Sequence, residues 1–459
     1  MLPLLKYLLT VADIQNDQLG LQRFTWGQIR FEAGVFLCFV ASLAVSVGGL
    51  LMLSRVSRTD AHETGIRESI RWLLVCVLSL PLATVALQRI SMSALVPVLR
   101  MDMGVSDSSI GAVFTATAIA FAVGAVVSGF LIDRIGLRAG ATCFIMVFSL
   151  GQAASGVIGG VSGLLTARLI FGVGSGAALP IAAKAVASYI RKPEQVLGVA
   201  LWQTATCIGV LSAAPLSLHL NVTSGWRFVF IATAVPGVLL AVLCFVLTRP
   251  TTTEGGRRHF RFDRTLLSLA LAYAIAMLLN TLLQTWAARY LLNLNVSLVQ
   301  ISAILYPIPM YAALGAVVGA TLVIALRSMA LGRSGVYQWA AVVSAVVILF
   351  SVVLLASGGV YAATLALNFV PFGIGAFLVS VYGGVLDSKS PATVALTVGL
   401  MSCFAAILPL VLNNIPSQVI NASRLPAVAF GLAVTLLVVS FFIRVDNKSE
   451  PETLAASAR

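Results

Sequence analysis

Charged residues are scarce in this sequence, and acidic residues are the scarcest. Asp, Glu, Lys and Arg together make up 10% of the 459 residues, while 59% are hydrophobic and the mean hydropathy is +1.01. This composition excludes an ordinary soluble globular protein and predicts an all-α polytopic membrane protein. The 29 basic residues outnumber the 16 acidic ones, but they fall in short connections between apolar runs. Their distribution therefore predicts membrane orientation and argues against a nucleic-acid partner.

The sequence also lacks the groups that most enzymes need. Its six cysteines all lie inside apolar stretches without metal-ligand or redox spacing, and its three histidines are scattered singly. It contains no hydrolase triad, phosphate-binding loop or dinucleotide fingerprint. The glycines of Gly172-Val-Gly174-Ser-Gly176 fall inside an apolar run, where small residues favour close helix contact. We therefore expect no enzymatic activity, no cofactor and no metal site.

Twelve apolar runs are long enough to cross a bilayer, which takes about 20 residues in a helix. They cover residues 72–99, 107–132, 139–160, 164–190, 195–218, 226–248, 265–291, 299–327, 336–357, 359–383, 391–413 and 424–444. A polar stretch divides these runs into two sets of six. The predicted units are a bundle at 71–248, a central loop at 249–264, a second bundle at 265–444 and a tail at 445–459.

Residues 1–70 form an extension before the first bundle. Within it, 31–54 is apolar and long enough to span, with only Glu32 at its outer edge. We expect a thirteenth, accessory transmembrane helix here. Two alternatives stay open: an interfacial segment, or a translated upstream region with no role in transport. A secretory signal fits less well, because the apolar run begins late and no small-residue cleavage site follows it.

The Lys and Arg residues of the loops are distributed asymmetrically. One side of the predicted membrane collects nearly all of them, the central loop included, whereas the other side has only Arg100, Arg227 and Arg424. By the positive-inside rule, the central loop and the C-terminus face the cytoplasm. The sequence thus predicts a multi-pass protein of the inner (plasma) membrane that contacts the lipid bilayer. We expect it to function as a monomer, although neither the charges nor the apolar runs determine the oligomeric state.

A charged turn joins the second and third runs. It reads Gly129-Phe-Leu-Ile-Asp133-Arg134-Ile-Gly136-Leu-Arg138, and each of its charges would cost roughly 2.5–3.5 kcal/mol at bilayer depth, so the turn belongs at the membrane surface. The pattern G-x-x-x-D-R-x-G-x-R resembles the loop 2–3 signature of the major facilitator superfamily of secondary transporters. The resemblance implies two six-helix bundles around a midplane cavity. It also implies that the turn is a gating element, in which Asp133 pairs with a helix N-terminus across the domain interface.

Four basic side chains remain inside the predicted helices: Arg89, Arg168, Lys184 and Arg289. We expect no carboxylate at the depth of any of them, and an unpaired cation in a membrane marks a functional site by default. The simplest partner is an anionic substrate. Arg89 is the strongest candidate, because it lies well inside the first helix and its planar fork can hold a carboxylate with two hydrogen bonds. For Arg89 the alternative is snorkelling to the outer surface or bonding to backbone carbonyls, and structural packing or snorkelling is an alternative for each of the other three cations.

Residues 71–248 are similar to the anion:cation symporter branch of that superfamily, which includes hexuronate, galactonate and vesicular glutamate carriers. The matching stretches are Val96–Leu99 with Gly104–Asp107, Gly172–Val186, Trp202–Thr204 and Gly225–Arg227. The resemblance implies that Arg89 contacts the substrate carboxylate and that Gln203 supplies a polar group early in the fifth helix. Gln88 and Ser175 stand where proton-coupled members carry Asp and Glu. The usual proton-coupling carboxylates are therefore missing.

The second half matches that branch more weakly. Its candidate cavity residues are Tyr273, Asn280, Gln284, Trp286, Arg289, Tyr306, Asn368 and Tyr382. Tyrosine and tryptophan are also typical of interfacial belts. The second loop signature, which ends at Arg327, has lost its Asp. We therefore expect the Gly129–Arg138 turn to hold the cytoplasmic gate.

The sequence predicts a carrier of a small organic anion, a carboxylate, anchored by Arg89 with Gln88, Ser175 and Gln203 as neighbours. One alternative is efflux of apolar or cationic compounds. It requires an acidic cavity residue and a G-x-x-x-G-P-x-x-G-G fifth helix, and this chain has neither. A second alternative is a transport-dead sensor or assembly partner on the same fold.

Overall fold

The structure is a computed structural model that describes residues 62–248, 263–329, 332–413 and 424–443. The accessory helix predicted at 31–54, nearly all of the central loop and the tail at 445–459 lie outside these residues. The described residues form helices and connecting turns, without strands.

The first half of the described chain contains six α-helices and one short 3-10 helix, Lys192–Glu194. The α-helices are α1 (His62–Met103), α2 (Asp107–Ile135), α3 (Leu137–Val157), α4 (Gly160–Ser175), α5 (Ala178–Tyr189) and α6 (Gln195–Leu247). The second half contains α7 (Arg264–Asn293), α8 (Leu298–Leu305), α9 (Ile308–Ser328), α10 (Arg333–Ala356), α11 (Val360–Ser388), α12 (Val394–Asn413) and α13 (Leu425–Ser440).

These helices supply the twelve predicted spans. The described chain holds nine segments long and apolar enough to cross a membrane, in which α4 continues into α5 and α8 into α9. Helix α6 is itself two spans that meet at Gly225, whose φ of +81° is a left-handed value that favours glycine. The shorter apolar helices α12 and α13 complete the set. The predicted separate helices at 195–218 and 226–248 therefore run on with only this kink between them.

Helices α1–α6 pack mainly against one another, as do α7–α13, and the two bundles meet where α2 and α5 contact α12 and where α6 contacts α9 and α11. Glycine permits the α2–α12 approach. A Cβ on Gly129 would lie 2.6 Å from the Ala395 oxygen, and one on Gly399 would lie 2.2 Å from the Ala125 oxygen. Any side chain at these positions would push the bundles apart.

One end of the molecule, here called the basic face, is defined by the exposed or half-buried cations Arg134, Arg138, Arg191, Lys192, Arg327 and Lys389. The other end, the opposite face, carries Arg100 and Arg227, which pair with Asp107 and Asp102. These two faces locate the site described next.

Candidate functional site

Arg89 lies on the side of α1 that faces the second bundle. Val75, Leu82 and Arg89 are spaced by seven residues, which is nearly two helical turns, so they share one face of the helix. Val75 belongs to the core cluster that contains Trp202 and Tyr382, and Leu82 packs against that cluster. The Arg89 side chain is itself exposed. Arg89 therefore opens onto the space between the bundles.

Three aromatic side chains form a floor between Arg89 and the basic face. The Trp202 and Tyr382 rings meet edge to face with centroids 5.2 Å apart, and the Tyr273 and Tyr382 rings are 5.3 Å apart. Tyr273 also interacts electrostatically with Arg89. Trp202 and Tyr273 lie within the first three turns of α6 and α7, which begin at the basic face, whereas Arg89 is near the middle of α1. We call these three rings the aromatic floor.

Helix α7 directs its predicted site residues to two different sides. Asn280 and Gln284 follow Tyr273 by seven and eleven residues, so they lie on its face of the helix, and Gln284 is exposed. Trp286 and Arg289 are rotated away from that face by about 140° and about 160°. The Arg289 guanidinium stacks on the Trp286 ring at 5.2 Å. Gln284 thus shares the space in front of Arg89, while Trp286 and Arg289 face elsewhere.

Gln203 and Tyr306 lie where α6 meets α9. Gln203 is half-buried on a face of α6 whose neighbouring positions Cys207 and Leu211 cluster with Met310 and Ala313 of the second bundle. Tyr306 precedes Met310 by one turn and is 39% exposed. Both residues therefore border the space between the bundles, and their contact with a substrate stays a prediction.

Gln88 and Ser175 lie behind Arg89, inside the first bundle. Gln88 is fully buried and its Nε2 donates to the carbonyl oxygen of Thr233 at 2.9 Å. The Ser175 hydroxyl donates to the carbonyl of Gly172 at 3.0 Å, within its own helix. Direct contact of these two side chains with a substrate stays a prediction, and their positions favour a supporting part.

The expectation that no intramembrane cation has a carboxylate partner is wrong for Lys184. Its Nζ lies 2.7 Å from Oδ1 of Asp133, and the two side chains are only 11% and 10% exposed. The sequence placed Asp133 in a loop, but α2 continues to Ile135 and carries it on its last turn, beside α5. Arg168 is also buried, and it is held by the neutral side chain of Gln152 at 2.9 Å.

Asp133 also reaches across to the second bundle. Its Oδ2 accepts a hydrogen bond from the Leu396 amide at 2.9 Å, and α12 begins two residues earlier at Val394. A carboxylate at a helix N-terminus is stabilised by the exposed amides and the helix dipole. Lys184 donates in turn to the Pro391 carbonyl, just before α12. This is the contact that the family resemblance implies for Asp133, and its gating role stays a prediction.

The rest of the charged turn supports this contact. Gly129 gives α12 the close approach described above, and Gly136 ends α2 with a φ of +89°. Arg138 stacks on the Phe245 ring at 4.1 Å, and the exposed Arg134 lies 5.9 Å from the Phe130 ring. The two arginines therefore pack within the first bundle, while Asp133 makes the cross-bundle bond.

The second half also makes contacts with the first bundle at the basic face, through hydrogen bonds between cations and backbone carbonyls. These contacts were not predicted from the sequence. Arg327 donates to the Pro193 carbonyl at 2.6 Å and to the Tyr337 hydroxyl. Lys192 donates to the Asp387 carbonyl at 3.3 Å. Backbone carbonyl acceptors leave no motif in a sequence. Because the second loop signature lacks its Asp, nothing in the sequence pointed to these contacts between the bundles. The bundles are thus joined at the basic face from both halves.

Sequence comparisons agree with this architecture. A profile of the Major Facilitator Superfamily matches residues 77–412. The chain is 27% identical over 185 residues to the probable galactarate/D-glucarate transporter GudP of Bacillus subtilis, covering 39% of this chain and 41% of that protein. It is 28% identical over 163 residues to the probable L-galactonate transporter of Escherichia coli, covering 36% of each. It is 29% identical over 178 residues to the 4-hydroxybenzoate transporter PcaK of Pseudomonas aeruginosa, covering 39% of this chain and 40% of that protein.

The chain thus spans about two fifths of the curated relatives it matches. Among solved structures, the human organic anion transporter MFSD10 superposes with a TM-score of 0.67 at 16% identity, covering 81% of this chain and 99% of that one. FucP in its outward conformation superposes with a TM-score of 0.68 at 14% identity, covering 82% and 98%. At these identities the likeness shows the fold alone.

The relatives confirm the resemblance to an anion-transporting branch and the expectation of a transporter instead of an enzyme. The apolar helices and the family together make the protein a multi-pass membrane protein. Because the profile match covers well over half of the chain, this protein belongs to the Major Facilitator Superfamily.

Proposed function

We propose that this protein moves a small organic anion, a carboxylate, across the membrane by alternating access, with Arg89 as the anion anchor. The exposure of Arg89 on the inter-bundle face of α1 carries this proposal. A guanidinium at this depth is costly unless it meets a counter-charge, and its fork matches a carboxylate. The relatives described above are a probable transporter of galactarate or D-glucarate, a probable transporter of L-galactonate and a transporter of 4-hydroxybenzoate, and each of these compounds is a carboxylate.

The remainder of the substrate contacts the residues that border the same space. Gln284 lies on the face of α7 that begins at Tyr273, and Gln203 and Tyr306 flank the α6–α9 contact. Their amide and hydroxyl groups can exchange hydrogen bonds with polar substituents of the anion. The aromatic floor bounds the substrate on the side of the basic face.

The contacts that close the basic face support alternating access. Asp133 and Arg327 each bond across to the other bundle there, while Arg89 above the aromatic floor stays exposed. We infer that substrate enters this state from the opposite face and leaves after these contacts break. With the basic face in the cytoplasm, as the loop charges predict, this is an outward-facing arrangement of a monomeric carrier.

Coupling does not use the usual carboxylates. Gln88 and Ser175 cannot exchange a proton near neutral pH, and Asp133 is engaged at the gate with Lys184 and Leu396. The proposal is therefore facilitated transport, exchange, or symport with a coupling ion held elsewhere. An imposed pH gradient across proteoliposomes tests it: accumulation of substrate against its own gradient with a fixed proton stoichiometry would overturn this part.

A thermal-shift screen of the purified protein tests the substrate class. Galactarate, L-galactonate and 4-hydroxybenzoate should include at least one binder, which raises the unfolding temperature by mass action. The matched controls are the corresponding carboxamides, which lack the charge. Equal stabilisation by acid and amide, or stabilisation that Arg89→Ala leaves intact, would contradict the anchor.

A further inference from the structure

A chain of buried polar groups crosses the first bundle behind Arg89, in which the hydroxyl and the backbone carbonyl of Thr233 join two sets of hydrogen bonds. Arg168 of α4 donates to Oε1 of Gln152 on α3 at 2.9 Å, and Nε2 of Gln152 donates to the Thr233 hydroxyl on α6 at 2.9 Å. The carbonyl oxygen of the same Thr233 accepts from Nε2 of Gln88 on α1 at 2.9 Å. Four helices of one bundle are therefore tied together at one depth.

The positive charge of Arg168, at one end of this hydrogen-bond chain, sets the direction of the bonds next to it. Arg168 is buried, and its guanidinium lies 5.0 Å and 4.9 Å from the Phe171 and Phe230 ring centroids. A buried cation needs its acceptor, so Arg168 fixes which end of the Gln152 amide is the oxygen. The amide nitrogen must then point to Thr233. Every member of the chain is uncharged except Arg168, so the order of donors and acceptors holds without any proton uptake.

The near end of the chain sets the rotation of α1. Gln88 is fully buried, while Arg89, the next residue, is exposed. Successive helix residues differ by about 100° in direction. A helix that turns Gln88 into the bundle to reach Thr233 must therefore turn Arg89 sideways, onto the inter-bundle face that Val75 and Leu82 define.

We propose that Gln152 and Thr233 are positioning residues for Arg89, acting through Gln88. This inference rests on the proposed function, because it takes Arg89 as the residue that binds the anion. Without the chain, α1 loses one of the bonds that fix its rotation around residue 88, while the buried Ser217–Ser91 bond to α6 remains. Binding must then restrict both the local rotation of the helix and the Arg89 fork. Ordering one long side chain on binding weakens affinity by about two- to tenfold.

The test is a double-mutant cycle on the affinity for whichever of galactarate, L-galactonate and 4-hydroxybenzoate binds the wild-type protein, measured in purified protein. Gln152→Leu should weaken binding about two- to tenfold in the wild-type background. It should add almost nothing in the Arg89→Ala background, because no cationic side chain remains there to be directed at the anion. Ser155→Ala, which removes a fully buried hydroxyl one turn away on the same helix, is the matched control and should leave affinity unchanged. Equal effects of Gln152→Leu in both backgrounds would overturn the proposal.

A second measurement needs no substrate and separates this inference from the proposed function. In a cysteine-free background, Arg89→Cys should react with a membrane-impermeant thiol reagent, and both Gln88→Leu and Gln152→Leu should slow that reaction, whereas Ser155→Ala should not. If galactarate, L-galactonate and 4-hydroxybenzoate all fail to bind the wild-type protein but labelling follows this pattern, the substrate proposal fails and the positioning chain stands. Labelling that ignores both glutamine substitutions contradicts the chain directly.

Discussion

Removing the carboxylate of Asp133 should open the basic face. In the closed arrangement Asp133 makes two different contacts: an ion pair with Lys184 inside the first bundle at 2.7 Å, and a bond from the Leu396 amide of the second bundle at 2.9 Å. Only the second contact breaks when the bundles separate. Asp133→Ala therefore weakens the closed state relative to the open state by the energy of that bond.

The magnitude follows from the charge on the acceptor. A hydrogen bond to a charged group contributes about 1.5–3 kcal/mol, so the ratio of closed to open molecules should fall by about 10- to 150-fold. Lys184, left without its carboxylate in a mostly buried position, should also lower the overall stability. Anion affinity should change little, because Arg89 lies on the other side of the aromatic floor, while transport should be impaired.

The assay is the distance between two spin labels in a cysteine-free background. Ala139→Cys at the start of α3 and Ser328→Cys at the end of α9 are exposed positions on the basic face of different bundles. Asp133→Ala should add a longer-distance population. The control is Asp387→Asn, which neutralises a carboxylate on the same face but keeps the backbone carbonyl that Lys192 uses. An unchanged distance distribution in folded Asp133→Ala protein would refute the reasoning.

Two further substitutions test the same closure. Gly399→Ala should also favour the open basic face, because its Cβ would lie 2.2 Å from the Ala125 oxygen. Gly431→Ala, which meets nothing within 4 Å, should be neutral in the same label pair. Arg327→Leu should shift the labels in the same direction as Asp133→Ala, since it loses the bond to the Pro193 carbonyl. If Arg327→Leu stays closed, the bond from Arg327 to the Pro193 carbonyl plays no part in the gate.

The sequence predicted the twelve spans because apolar runs and short polar connections are local features. Arg89 could be found for the same reason, since a lone arginine in an apolar run is visible without any structure. The direction of a side chain was not predictable in this way. Gln88 and Arg89 are neighbours in sequence, yet one is buried in the first bundle and the other is exposed between the bundles.

Partnerships between distant helices were also hidden. Nothing in the spacing of Asp133 and Lys184 shows that they pair, and the end of α2 had to be known before Asp133 could be placed on a helix. The link from Arg327 to Pro193 uses a carbonyl that every residue possesses. The Gln152–Thr233 contact joins two ordinary polar residues 81 positions apart. Each of these contacts depends on helix packing, which a single sequence does not reveal.

The most direct measurement is counterflow of the carboxylate identified in the thermal-shift screen, in proteoliposomes containing wild-type, Arg89→Lys or Arg89→Ala protein. Arg89→Ala loses a charged, bidentate contact with the carboxylate. Its half-saturating concentration should therefore rise by about 10- to 150-fold. Arg89→Lys should retain attraction but lose the fork, and should fall between the other two. Counterflow by Arg89→Ala at the wild-type rate and half-saturation would contradict the account.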